Sequence, residues 1–207
     1  MNQVFIQAIF IYLIIVLSAT FHEYAHGLMA FHLGDDTAKR MGRLTLNPIA
    51  HLDIFGTVIL PLLFLLTPGF GFFIGWAKPV PYNPLNLSDR KYGSLKVAVA
   101  GPLANLSIAL VLGLFLRFGG VFFVTNTIFV GLIALIVQIN IFLALFNLIP
   151  VPPLDGSKII FDLIPSSERL LNQIGFVGVF IALVISFYIL NPIAQFVFKI
   201  ITGATLF

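Results

Sequence analysis

The sequence predicts an all-α polytopic membrane protein, because its composition differs in several ways from that of water-soluble chains. Hydrophobic residues make up 59% of the 207 residues and charged residues only 9%, whereas a soluble domain carries about a quarter. The mean hydropathy is +1.08, and long apolar runs alternate with short polar loops. We therefore expect one membrane-embedded domain over residues 1–207, with about five to six membrane helices.

The first apolar run predicts a spanning helix. Residues 4–21 carry no charge, and helical character continues to Leu33. Such a helix is roughly 45 Å long, against ~30 Å for the hydrocarbon core of a bilayer. A cleaved signal peptide is the alternative, but the run lacks a basic start and is longer than the apolar part of a typical signal peptide.

The later apolar runs differ in length. The run at 54–66 is shorter than the roughly 20 residues that a crossing needs, and the chain after it is rich in Gly and Pro. We therefore expect a re-entrant or extended segment near residues 54–82, and C-terminal helices over about residues 174–207. The remaining runs occupy 95–116, 121–149, 174–190 and, more weakly beyond Asn191-Pro192, 193–207.

The charged residues and the missing cysteines exclude several classes of function. The net charge is +3, but the basic residues fall in short loops rather than on one helical face. They indicate membrane topology, and we expect no nucleic-acid partner. The chain has no Cys, which excludes disulfides and thiolate metal sites, so any metal must bind His and carboxylate side chains.

An HExxH pattern lies inside the first predicted helix, where His22, Glu23 and His26 occupy the defined positions. Two histidines four residues apart share a helical face and can bind one zinc ion, while Glu23 is offset enough to reach a metal-bound water. Chance matches occur. However, a charged residue at the centre of a membrane helix costs about 2.5–3.5 kcal/mol on insertion scales, so a metal site explains Glu23 better than chance does.

A catalytic zinc needs a third protein ligand. Asp155 is one candidate, because three prolines and a glycine break the chain around it; a helix N-cap explains the same residue equally well. His51, Asp53 and His32 are the other candidates. His51 and Asp53 fit a polar loop or cap better, and His32, six residues after His26, faces away from the histidine pair.

Three motifs resemble those of the site-2 protease family of intramembrane zinc metalloproteases: HEYAHG at 22–27, GPLANL at 101–106 and NLIPVPPLDG at 147–156. The resemblance covers a catalytic core of about residues 10–160 and suggests a compact form without a PDZ or CBS domain.

This resemblance implies a role for each site residue. His22, His26 and Asp155 would bind zinc, Glu23 would be the general base, and Asn105 would lie near the reaction centre. Asn105 by its spacing from Gly101 fits a close helix contact just as well. The resemblance favours oxyanion stabilisation by Asn105.

Membrane topology tests the ligand set independently. If every apolar run crossed the bilayer, the end of the first helix and Asp155 would lie on opposite sides and could not share a metal. They meet if the 54–66 run enters and returns to the same side, which requires irregular chain beside protein or water. By the positive-inside rule that side is cytoplasmic. The basic residues placed there are Lys39, Arg40, Arg43, Arg90, Lys91, Lys96, Lys158 and Arg169, with Arg117 opposite.

The extended segment offers a place for substrate. Prolines at two alternate positions within residues 71–82 remove N–H donors from one strand edge, and the other edge keeps those of Lys78, Val80 and Tyr82. We expect this edge to bind an unwound substrate by strand addition; a simple return loop is the alternative.

Together these patterns predict a zinc metalloendopeptidase, with one zinc per chain, that cuts peptide bonds in or near transmembrane segments of other proteins. We expect a multi-pass protein of the cell membrane, with transmembrane protein substrates and the lipid bilayer as partners and an active site opening towards the cytoplasm. A divalent-metal carrier and a proteolytically inert scaffold of the same fold are the alternatives. A carrier predicts ionisable residues along a whole pathway, whereas here they gather at one depth, and intact Glu23 disfavours a scaffold.

Overall fold

The computed structural model describes residues 3–66, 75–119, 127–174 and 177–204. This part of the chain is mainly helical and contains no β-strand, which confirms the all-α class. Four of its helical stretches are long and apolar enough to cross a membrane, so the polytopic membrane architecture is confirmed as well. These stretches are Ile6–His32, Gly93–Phe118, Thr127–Asn147 and Val177–Thr202.

The helices of the described residues have the following bounds: α1 Gln3–His32, α2 Thr37–Arg40, α3 Leu60–Leu66, α4 Gly93–Phe118, α5 Thr127–Asn147, α6 Asp155–Leu163, α7 Ser167–Ile174, α8 Val177–Ile185 and α9 Asn191–Thr202. Turns of 3-10 helix lie at Pro48–His51 and Pro84–Asn86, and π-helical turns at Ile54–Ile59 and Ser186–Leu190.

Helix α4 is the centre of the bundle and packs against α1, α5, α6 and α9. Its inner face is lined by small residues such as Ala98, Gly101 and Ala109, all buried, which let the neighbouring helices approach closely. Larger side chains on the outer face, such as Val111, are exposed. This distribution suits a helix that contacts protein on one side and lipid on the other.

The C-terminal apolar runs form one continuous helical stretch from α8 to α9. The sequence predicted a break at Asn191-Pro192, because proline has no N–H to donate within a helix. In the structure Pro192 lies in the first turn of α9, directly after the π-helical turn at Ser186–Leu190. The wider turn takes up the irregularity, so the two runs make a single candidate crossing.

The segment near 54–82 enters and returns at the same end of the bundle. The π-helical turn and α3 together span 13 residues, or roughly 20 Å, which is too short to cross. The returning chain runs beside the start of this segment, since Trp76 N–H donates to the Gly56 carbonyl and Thr57 Oγ1 donates to the Trp76 carbonyl. The re-entrant path is thereby confirmed at both of its ends; its middle, residues 67–74, lies outside the described residues.

Candidate metal centre

Side chains from distant parts of the chain meet near the centre of the fold. His22 and His26 lie on one face of α1, and Asp155 is the first residue of α6. Asp155 Oδ2 lies 3.0 Å from the Nε2 atoms of both histidines, and all three residues are buried. Across the described part of the chain, this is the one group of three or more His, Cys, Asp or Glu side chains with the spacing for a metal ion.

Gly101 of α4 leaves space in front of these ligand atoms. A Cβ atom at this position would lie 2.6 Å from His22 Nε2 and closer still to His26 Nε2. Any side chain here would therefore fill the volume that the ring nitrogens face. Two imidazole nitrogens and one carboxylate oxygen are a common donor set of catalytic zinc sites, so the residues and the space fit a zinc ion.

The loop before α6 delivers Asp155 with one oxygen directed at the histidines. Leu154 is the N-cap residue of α6, so Asp155 does not have the capping role that the sequence also allowed. Lys158, one turn later, donates to Asp155 Oδ1 at 3.1 Å and leaves Oδ2 for the histidine side. The Lys158 ammonium group favours the carboxylate form of Asp155, because a nearby cation stabilises the negative charge.

The second ring nitrogen of each histidine, Nδ1, forms a hydrogen bond with a buried acceptor. His26 Nδ1 lies 2.6 Å from the backbone oxygen of Val97, and His22 Nδ1 lies 2.7 Å from Asn105 Oδ1. Carbonyl oxygens only accept hydrogen bonds, so the proton is on Nδ1 in both rings. Both Nε2 lone pairs then point to the same side, which is the arrangement that a metal requires.

Asn105 has a partner for every polar group of its side chain. Oδ1 accepts from His22, and Nδ2 donates to Asn140 Oδ1 at 2.8 Å and to the Ser18 carbonyl at 3.3 Å. The residue is fully buried between α1, α4 and α5. Its oxyanion role stays a prediction, and that role would require one of these N–H groups to leave its partner.

Glu23 faces the returning chain at residues 75–83. Its Oε2 accepts a hydrogen bond from Val80 N–H at 2.7 Å, and Lys78 N–H donates to the His51 carbonyl at 2.9 Å. The strand edge that was expected to bind substrate is therefore occupied in this structure, because two of its three donors bond to the chain itself. The same segment covers the carboxylate that was predicted to act as the base.

The other candidates for a third ligand lie outside the metal group. His51 is buried and donates Nε2–H to the Thr45 carbonyl at 2.8 Å. Asp53 caps the π-helical turn by accepting two backbone N–H groups through Oδ1. His32, in the last turn of α1, is paired with the Leu28 carbonyl.

Sequence similarity to known proteins places the chain in a family. Residues 119–187 match the family described as Peptidase family M50. The Bacillus subtilis (strain 168) protein named Putative zinc metalloprotease YwhC is 43% identical over 166 residues, which cover 76% of this chain and 71% of that protein. The chain belongs to peptidase family M50. It is a metalloprotease of the site-2 protease kind and a multi-pass membrane protein, which confirms the resemblance found in its motifs.

Two further relatives have lower sequence identity to this chain. Putative zinc metalloprotease Rip2 of Mycolicibacterium smegmatis is 31% identical over 174 residues, which cover 82% of this chain and 64% of that protein. Putative zinc metalloprotease MJ0611 of Methanocaldococcus jannaschii is 38% identical over 73 residues, which cover 31% of this chain and 32% of that protein. No solved structure matches the M50 chain significantly. All three relatives are named for zinc, the metal that the donor set here suits.

Four residues around the metal group carried no motif signal. Helical spacing points to two of them, because Ser18 precedes His22 by four residues and Lys158 follows Asp155 by three. Asn140 is visible only as a polar residue within an apolar helix, which favours a functional or packing role. Val97 contributes a backbone carbonyl, for which a sequence holds no signal.

Proposed function

We propose that this M50 chain is an intramembrane zinc endopeptidase that cuts peptide bonds in or near transmembrane segments of other proteins. The observation that carries the proposal is the burial of the His22, His26 and Asp155 group, whose two histidines belong to a candidate membrane span. A protease whose metal ligands lie on a spanning helix can act on a substrate at membrane depth. Residues 1–207 would form one catalytic domain with one zinc.

The side chains divide the chemistry between them. His22 and His26 through Nε2, and Asp155 through Oδ2, would hold the metal. Zinc, when bound, lowers the pKa of a coordinated water and polarises the scissile carbonyl. Glu23 accepts a proton from the attacking water and passes it to the leaving nitrogen. Because Glu23 is paired with Val80 N–H, the returning chain must release it before this step.

We place the metal group towards the cytoplasmic side of the cell membrane. Arg117 donates to the Ile200 carbonyl, so the last turns of α4 and α9 lie together at the far end of the bundle from the re-entrant segment. Only Arg117 and Lys199 of the 11 basic residues are assigned to that far end, which supports a cytoplasmic position for the rest. Ser88 is exposed, and a Cys introduced there should not be labelled from outside intact cells. Labelling from outside would show that the protein has the opposite orientation in the membrane.

The central experiment separates metal binding from catalysis. Purified protein is tested for zinc content and for cleavage of a panel of single-pass membrane proteins. Glu23→Gln should keep about one zinc per chain while cleavage falls by about a hundredfold or more. His22→Ala and Asp155→Ala should lose both zinc and cleavage. His32→Ala changes a histidine of the same helix outside the group and should lose neither.

Two results would contradict the proposal. If Asp155→Ala keeps both zinc and cleavage, the third ligand lies elsewhere, and His51 and Asp53 are tested next. If zinc is taken up by proteoliposomes and no substrate is cleaved, the chain is a metal carrier. Cleavage that a chelator abolishes, without zinc uptake, excludes the carrier.

A further inference from the structure

We propose that Asn140 of α5 is a positioning residue for the zinc site, which acts through Asn105 to determine which ring nitrogen of His22 faces the metal. The inference rests on the proposed function, since it takes His22 as a zinc ligand. No motif includes Asn140, and its hydrogen bonds go to Asn105, Ser18 and Ile136 rather than to the metal group. Asn140 and Asn105 are both fully buried, where an unpaired polar group costs about 1–3 kcal/mol.

A continuous chain of hydrogen bonds joins Asn140 to His22. Asn140 Oδ1 accepts from Asn105 Nδ2 at 2.8 Å, and Asn105 Oδ1 accepts from His22 Nδ1 at 2.7 Å. The chain links α5, α4 and α1 inside the bundle. Hydrogen bonds at such a place are strong and directional, because little water competes with them.

Backbone carbonyls determine the direction of this chain. Asn140 Nδ2 lies 2.9 Å from the Ile136 carbonyl, and Asn105 Nδ2 lies 3.3 Å from the Ser18 carbonyl. A carbonyl oxygen only accepts, so the amide nitrogen of each Asn must face its carbonyl and the amide oxygen must face the next donor in the chain. Asn105 therefore presents oxygen to His22, the proton of His22 is on Nδ1, and Nε2 is left for the metal.

Asn140 is the stronger of the two restraints on Asn105. The bond from Asn105 Nδ2 to Asn140 is 2.8 Å long, whereas the contact with the Ser18 carbonyl is at the long end of hydrogen-bond distances. Without Asn140, the Asn105 amide can turn over and present nitrogen to His22. The histidine would then offer its lone pair at Nδ1, away from Asp155, and a zinc ligand would be lost.

His26 provides an internal reference for this effect. Its Nδ1 bonds to the backbone carbonyl of Val97, which cannot turn over. A loss of Asn140 should therefore affect one of the two histidines. If Asn140 merely joined helices, its replacement would lower the stability of the fold and leave the metal geometry unchanged.

The test compares Asn140→Leu, Asn140→Asp and a control, Gln138→Leu. Gln138 lies on the same helix, and its buried Oε1 has no hydrogen-bond partner in the described part of the chain. The control therefore removes an amide that is not part of the hydrogen-bond chain from Asn140 to His22. Zinc affinity is measured by chelator competition, and the visible absorption of the cobalt-substituted protein reports the ligand geometry. Folding is followed by circular dichroism.

Asn140→Leu should weaken zinc binding by about ten- to a hundredfold, as other changes behind zinc-bound histidines do, and should shift the cobalt bands. At position 140 the neighbouring Ile136 carbonyl favours the protonated form of an introduced carboxyl group, which can accept from Asn105 while donating to that carbonyl. Asn140→Asp should therefore stay within about threefold of the unchanged protein. Gln138→Leu should match the unchanged protein in both measurements.

Unchanged zinc affinity and cobalt bands in Asn140→Leu would overturn the inference, as would equal losses in Asn140→Leu and Asn140→Asp. If Asn140→Leu does not fold, Asn140→Ala replaces it with the same expectations. His22→Ala separates the two levels of the proposal, because zinc binding that survives this change overturns the proposed function itself. If zinc binding requires His22 but is unaffected by the replacement of Asn140, only the positioning role of Asn140 is overturned.

Discussion

Behind His22, polar side chains of three membrane helices bond to one another, whereas in front of Glu23 the contacts come from an extended segment near the end of the bundle. Asn105 and Asn140 on the inner side are fully buried. On the outer side Val80 is buried, but its neighbours Lys78 and Pro79 are exposed. The metal group, which is His22, His26 and Asp155, thus lies between two different surroundings. One is the inner network of Asn105 and Asn140, and the other is the covering segment of residues 75–83.

The two sides differ in the free energy that is lost when one of their hydrogen bonds breaks. A bond broken in the inner network leaves a buried donor or acceptor without a partner, at about 1–3 kcal/mol each. A bond broken in the covering segment exposes groups to nearby water, which replaces much of what is lost. The structure therefore holds the histidine side chains firmly and leaves the covering of Glu23 as the part that can open.

The largest effect is expected on the inner side, from Gly101→Ala. The added methyl group would lie against both Nε2 atoms, so the protein should lose its zinc, and with it all cleavage, while the helices still form. Metal content per chain measures this directly. Gly131→Ala is the matched control, because a Cβ atom at that helical glycine meets nothing within 4 Å. Full zinc content in Gly101→Ala would show that the metal lies elsewhere.

A smaller effect is expected on the outer side, from Arg43→Gln. Arg43 is buried, and its Nη2 donates to the carbonyls of Lys78 and Pro79 at 2.7 and 3.3 Å. Hydrogen bonds from a charged group contribute about 1.5–3 kcal/mol, so amide hydrogen exchange at Lys78 and Val80 should become about tenfold faster or more.

Zinc content should not change in Arg43→Gln, because Arg43 has no part in the inner network. Arg40→Gln is the control, since Arg40 makes an exposed pair with Asp36 that should contribute little. A loss of zinc in Arg43→Gln would mean that the covering segment and the ligands form one rigid unit, and the comparison of the two sides would fail.

The smallest effect is a pH dependence that arises from Asp35, which binds the C-terminal end of the covering segment at Asn83. Asp35, buried after α1, accepts hydrogen bonds from Thr37, from Asn83 N–H at 2.7 Å and from Asn86 Nδ2 at 2.9 Å. Burial raises the pKa of Asp35, but these hydrogen bonds lower it more, so the net shift is downward. The stabilisation is therefore complete above about pH 4 and is lost as the pH falls through the lowered value.

Below the lowered pKa of Asp35, hydrogen exchange at Asn83, corrected for its intrinsic pH dependence, should be about fivefold faster. This factor corresponds to a loss of about 1 kcal/mol in stabilisation. In Asp35→Asn the exchange should be faster at neutral pH and lose this pH dependence. Asp36→Asn, a change at the neighbouring carboxylate, should behave like the unchanged protein. A pH-independent rate in the unchanged protein would show that Asp35 does not hold this end.

Much of the site was predictable because its signals are local. His22, Glu23 and His26 share one helix, so their spacing alone implies a common face. The apolar composition and the short run at 54–66 likewise predicted a membrane fold with a re-entrant path. Asp155 was predictable only through a family resemblance, because its own surroundings fitted an N-cap equally well.

Local patterns could not show which donors of the returning chain are free. The glycines and prolines predicted extended chain near residues 54–82, and residues 75–83 form neither helix nor strand, but the partners of Lys78 and Val80 are His51 and Glu23, which are distant in sequence. Hydrogen-bond partners across such distances depend on how the helices pack. An exposed strand edge and an occupied one have the same sequence.

The sequence by itself determined the membrane class and the metal chemistry and predicted Glu23 as the base, since hydropathy and helical periodicity are properties of neighbouring residues. Only the tertiary structure decided that Asp155 joins the histidines, that Gly101 leaves the space for the metal, and that Asn105 bonds to Asn140. Each of these depends on a close approach of α1, α4, α5 and α6. Buried polar groups must find partners wherever packing brings them, and packing is a property of the whole bundle.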